Sequence, residues 1–318
     1  MIRQFSHQHS DDGSVTAMVA IAMIPLILGL AIVVDAGRVW TARTALQNAV
    51  EVTVASAAST WIRTGAVCPP SVVNYLSADD AEPREYSCST TGTSRDGTIT
   101  VEASDETPLQ FTELFRRSSA AISASTTARI GSASSLLGVW PIALCEFHPA
   151  LIAWRDSGFT LATPYTITLR SGPNSCGESV GGNWGTLDFD GGSNSNSDIV
   201  RWVTNGYEEA LDVGDEVSGS PGALTSSIGI ESRIGNPILI ALFDRAVASG
   251  NNATYRISGF ARATLVGARL TGAAAQRSLT VQFETAIVDR ASAGAGSGSD
   301  FGITTWAICA YDRKGNCQ

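Results

Sequence analysis

Lysine is almost absent: Lys314 is the sole lysine in 318 residues, and arginine supplies the remaining positive charge. The balance is acidic, with 21 Lys and Arg against 30 Asp and Glu, a formal net charge of -9. No basic run occurs, and a phosphate backbone needs clustered cations, so nucleic acid is excluded as a partner. Histidine is scarce as well. His7 and His9 precede the apolar segment described below, which leaves His148 as the single base for chemistry beyond it. A P-loop, a dinucleotide fingerprint and H-E-x-x-H are all missing. Cys145 and Glu146 stand beside His148, but Cys145 is better used in a disulfide. Neither an enzyme nor a cofactor site is expected.

Cysteine is sparse but even in number. Cys68 with Cys88, Cys145 with Cys176, and Cys309 with Cys317 form three locally spaced couples, without the tight Cys/His spacing of a metal site. Nearest-neighbour disulfides and an oxidising compartment are the expectation. A hydrophobic content of 44% is enough for an ordinary core.

Charge is missing altogether from Val15 to Val34. At about 1.5 Å per residue this run crosses a hydrocarbon core of about 30 Å. Pro25 and Gly29 lie inside it, which a membrane-spanning helix tolerates. Val34-Asp35-Ala36 fits a signal-cleavage pattern, but the run exceeds a usual signal h-region and only Arg3 stands in the flank before it; an uncut anchor is expected. Arg38 and Arg43 follow the span, opposite to a positive-inside bias, so orientation is drawn from the cysteines and the resemblance below.

The helix continues past the span. Ala36 to Arg63 lacks proline and, after Gly37, glycine. Val39, Ala42, Leu46, Val50, Val54, Ala57 and Trp61 recur at three- and four-residue steps, an amphipathic face on which Val39, Leu46, Val50 and Val54 are the packing candidates.

Gly13, Val34-Asp35, Gly37-Arg38, Trp40 and Leu46-Gln47-Asn48-Ala49 together resemble the N-terminal domain of TadE/TadG-like proteins of Flp (tight adherence) pilus assembly. The resemblance covers Gly13 to Ala58. Gly182 to Gly192, with Trp202, Asn205-Gly206-Tyr207 and Val213-Gly214-Asp215, looks like the C-terminal region found in many TadG-like proteins, and so do Arg233-Ile234-Gly235, Ile238 to Phe243 and Asn252 to Tyr255. The resemblance implies a pilin-like first helix, a membrane-anchored accessory role and assembly or envelope proteins as partners. The prepilin peptidase of that system prefers Glu at the fifth position after a cut; after Gly13 that position is Met18, as in an uncut TadG-like member.

The fold class expected is α+β. Residues 1–14 read as a cytoplasmic tail, 15–34 as the transmembrane helix, and 35–135 as its continuation with a pilin-like α/β unit. Residues 136–290 read as a β-rich exoplasmic domain, and 291–318 as a flexible linker with a disulfide-looped terminal strand. Thr98, Thr100 and Glu102 alternate with Ile99, Val101 and Ala103, the period of a half-buried strand. Strands are also expected at Arg84–Ser87, Ala120–Ile130, Val139–Leu144, Thr160–Leu169, Thr186–Phe189, Pro237–Phe243, Thr254–Val266 and Ser278–Val288. Helices are expected at Ser71–Leu76, Ser197–Thr204 and Ser220–Ile230, and Leu109–Phe115 reads as a helix or an edge strand.

Asp188, Asp190, Asn194, Asn196 and Asp198 offer hard oxygens of the kind Ca²⁺ takes, but the spacing is not that of an EF-hand. A polar turn with Asp198 capping the next helix is the expected use. The sequence thus predicts a non-catalytic structural or accessory protein of pilus assembly and surface adherence, held in the cell membrane by one span, with membrane lipid and assembly or envelope proteins as partners. The alternative is a surface-tethered carbohydrate- or cation-binding module.

Overall fold

The computed structural model describes residues 12–77, 83–111, 116–169, 176, 184–191, 196–220, 229–247, 253–288 and 298–309. It opens with helix α1, Asp12–Thr64, unbroken for 53 residues. Helix α2, Pro70–Val73, runs into a 3₁₀ turn at Asn74–Ser77, where a short helix was expected. Strands β1 (Glu85–Gly92), β2 (Gly97–Pro108) and β3 (Ser119–Ser132) follow, then β4 (Ser135–Leu136) and β5 (Val139–Cys145). Beyond helix α3 (Pro149–Asp156) come β6 (Tyr165–Thr168), β7 (Trp184–Asp188), helix α4 (Asn196–Asn205), β8 (Leu211–Asp212) and β9 (Glu216–Ser220). The chain ends in β10 (Pro237–Val247), β11 (Ala253–Arg269), β12 (Ser278–Glu284), β13 (Ala286–Ile287) and β14 (Ile303–Ile308). A long apolar helix followed by strand-rich structure makes the chain α+β.

Two compact units form: one comprises Met1–Thr53, Pro70–Cys88 and Val101–Thr126, the other Val54–Pro69, Ser89–Thr100 and Thr127–Gln318. Strands β1, β2, β3, β14 and β13 make one sheet in that order. The terminal strand β14 returns to β3, antiparallel, with Thr304 opposite Ser132. In the second sheet β10, β5, β7, β9 and β11 are neighbours in turn, and β10 also pairs with β11, which closes a small barrel; β12 and β6 extend from β11. The β10–β5 pairing is parallel and the other barrel pairings are antiparallel.

Alternation explains why barrel strands are apolar throughout. Trp140, Ile142 and Leu144 of β5 enter one core with Trp154 of α3, Trp202 of α4 and Phe283. Val139, Ala143 and Cys145 of the same strand face a second core with Phe243 and Tyr255. Gly185 is required here, because a Cβ would stand 2.1 Å from the Tyr255 hydroxyl. Burial of that phenol raises its pKa.

Several elements differ from expectation. Helix α3 was not anticipated, although His148 caps it and Pro149 opens it. Strand β6 begins only at Tyr165, leaving Thr160–Pro164 outside it. Residues 109–111 form neither helix nor strand, and residues 112–115 lie outside the described residues. So does most of the helix expected at Ser220–Ile230, where the described end is a 3₁₀ turn, Ile230–Arg233.

Candidate functional site

The site follows from the two halves of α1. Its first half keeps its apolar side chains outside: Met18 and Ile21 are 70% exposed and Val33 is 69% exposed. The most apolar window of the helix has a mean hydropathy of 2.8 and none of it is buried. A soluble helix with such a surface would expose a large apolar patch, whereas lipid matches it. The helix is long and apolar enough to serve as a single-pass anchor. In the second half Leu46, Ala49, Val50, Val54, Ala57, Ala58 and Trp61 are buried. Three of the four expected packing residues, Leu46, Val50 and Val54, are therefore covered by the chain itself, and Val39 is half-buried.

Asp35 stands where the two halves meet. It follows the last residue of the charge-free run and is only 3% exposed. Its Oδ1 accepts the Gln110 N–H and its Oδ2 the Phe111 N–H, each at 3.0 Å. A buried carboxylate is tolerable when its lone pairs are used, and here each oxygen holds one backbone donor. The base of the Gln110–Phe111 loop is closed by the Leu109 N–H on the Ser118 carbonyl, 2.9 Å. The Val34-Asp35 pattern marks Asp35 in the sequence, but nothing local reveals partners some 75 residues later.

Farther along, the Gln47 amide donates to Thr126 Oγ1 at 2.9 Å and to Glu51 Oε1 at 2.9 Å. Arg43 and Gln47 of α1 with Tyr86, Glu102, Ser123 and Ser125 line an open polar groove of about 620 Å³.

The candidate cation ligands separate. Asp188 is buried at the end of β7. Asp188 and Asp190 line a cavity of about 370 Å³ with Phe189, Tyr207, Asp215 and Glu216. Asp198 is not among that lining; it lies in the first turn of α4, which starts at Asn196, so it complements the dipole from inside the helix and is not the cap expected. Asn194 lies outside the described residues. Phe189 stacks on Tyr207 with centroids 4.2 Å apart. Burial raises the Tyr207 pKa, and Glu209, Asp190 and Asp215 add to the shift. Among the described residues no three His, Cys, Asp or Glu side chains are grouped to hold a metal.

Cys145 and Cys176 form a disulfide, and both are buried. Cys68, Cys88 and Cys309 are also disulfide-bonded, while Cys317 lies outside the described residues. His148 accepts the Ala150 N–H through Nδ1 at 3.2 Å. Burial lowers its pKa, which suits a cap that must keep Nδ1 unprotonated.

No curated protein and no solved structure matches the chain. Residues 13–60 match a family model described as putative Flp pilus-assembly TadE/G-like. That stretch lies wholly on α1, holding the exposed apolar run, Asp35 and the buried face to Thr60, and it is this part of the chain that is similar to TadE/TadG-like proteins.

Proposed function

We propose that the chain is a membrane-anchored, non-catalytic structural or accessory protein of Flp pilus assembly and surface adherence, working with other assembly or envelope proteins. The observation that carries this reading is the family match on α1, whose apolar half is bare while one face of the remainder is buried. The bulk of the chain is placed on the oxidising side of the membrane, supported by the Cys145–Cys176 disulfide and the bonded states of Cys68, Cys88 and Cys309. A non-catalytic role is supported by the use of His148 as a helix cap.

Deleting the gene and imaging cells for pili tests the proposal. Loss of pili is expected, with restoration by the full chain but not by a chain whose residues 13–60 are exchanged for an unrelated single-span anchor. Unchanged piliation in the deletion strain would refute it. The rival, a tethered cation- or carbohydrate-binding module, has the carboxylate-lined cavity at Asp188 and Asp190 in its favour and predicts normal pili with weakened attachment.

A further inference from the structure

We propose that Leu109–Phe111, with Arg116 and Arg117, is a second membrane contact that docks on anionic phospholipid headgroups where α1 leaves the bilayer. The inference rests on the reading of residues 15–34 as a membrane span. Asp35 is the residue after that run, and at about 1.5 Å rise per residue its carboxylate marks the end of the apolar stretch. Its two bonds to the Gln110 and Phe111 N–H groups, 3.0 Å each, hold the loop at the same level. The loop therefore has no freedom to sit far above the headgroups while the span is inserted.

The side chains carried to that level suit an interface. Phe111 is 47% exposed, and Trp40, just beyond Asp35 on α1, is 76% exposed. An exposed indole is favoured at the boundary between hydrocarbon and water, and an exposed phenyl ring buries its apolar face just below the headgroups. The Leu109 N–H bond to the Ser118 carbonyl returns the chain beside the loop, bringing back the exposed Arg117 and Arg116.

Charge selects the headgroup. Among the described residues neither Arg116 nor Arg117 has an ion pair, and the same holds for Arg38 and Arg43 of α1. Two acids of this end are engaged: Asp35 is held by two backbone donors, and Glu106 pairs with Arg84 at 3.0 Å. Free cations beside an exposed ring complement anionic lipid, and each arginine near such a surface shifts a docking equilibrium about fivefold.

The test places a photo-crosslinking p-benzoylphenylalanine at Phe111, Leu30 or Tyr86 of the full chain in nanodiscs of phosphatidylcholine with or without phosphatidylglycerol. Leu30 lies in the span and is 65% exposed; Tyr86 is 53% exposed and lines the polar groove with Arg43. Lipid adducts are expected at positions 30 and 111 and not at 86, with more at 111 when phosphatidylglycerol is present. Arg116→Ala and Arg117→Ala should each lower the docked population at 111 by about fivefold. Lipid adducts at 30 with only protein adducts or none at 111 overturn the loop contact and leave the anchor standing. No lipid adduct at either position overturns both. A yield at 111 that ignores phosphatidylglycerol and both arginine variants overturns the headgroup assignment.

Discussion

Replacing Asp35 with alanine removes the acceptor for two backbone donors at once. A hydrogen bond to a charged group contributes about 1.5–3 kcal/mol net, so two set an upper range of about 3–6 kcal/mol. Gln110 and Phe111 are exposed and Leu109 is half-buried, so the freed N–H groups recover part of this by bonding water. A loss of about 2 kcal/mol is therefore expected, most of it local to the loop. The readout is hydrogen exchange of the Gln110 and Phe111 amides in the full chain in detergent, where 2 kcal/mol is roughly a thirtyfold acceleration. Asp35→Asn should rescue little: its single carbonyl oxygen accepts one N–H, and its amide nitrogen opposes the other as donor against donor. Exchange at both amides within about twofold of the parent chain in Asp35→Ala would refute the reasoning.

Leu46 is 1% exposed, so Leu46→Ala should cost about 2–5 kcal/mol in denaturant unfolding, whereas Leu30→Ala, 65% exposed, should change stability by less than about 0.5 kcal/mol. Burial holds the His148 pKa below 6.5, so its contribution is whole above that value and is lost as pH falls through the lowered folded value. Unfolding measured between neutral and mildly acidic pH should show that loss, and His148→Asn, which keeps a capping acceptor without an imidazole, should flatten it. The Cys145–Cys176 bridge closes 31 residues, for which the chain-entropy model gives about 3–4 kcal/mol; equal stability of Cys145→Ala/Cys176→Ala and parent chains would contradict it. Non-reducing peptide mapping is expected to pair Cys68 with Cys88 and Cys309 with Cys317, and a cross-link from either couple to Cys145 would overturn that assignment.

Much of the architecture was legible because its signals are local. An uncharged run needs no partner to declare itself, and Leu46, Val50 and Val54 repeat at the helical period that later proves buried. Thr98 to Ala103 alternates and lies in β2, with Ile99, Val101 and Ala103 inside. Helix α3 escaped notice because it is short: Ala150, Leu151 and Trp154 are its buried residues, too few to set a period against neighbouring strands. The 1–14, 15–34, 35–135, 136–290 and 291–318 division follows composition, while the compact units are built from interleaved segments.

What the sequence by itself determined is therefore the long apolar run, the amphipathic continuation and the strand-rich remainder, each fixed by periodicity and composition within a few turns or strands. Tertiary structure decided what joins across distance. β10 closes the barrel between β5 and β11, β14 returns to β3, and Asp188 and Asp190 meet Asp215 and Glu216 in place of Asp198. Asp35 likewise finds Gln110 and Phe111 only after β2 has run its course. Such pairings depend on which distant backbone groups remain unbonded once the sheets have formed, a condition that no local pattern records.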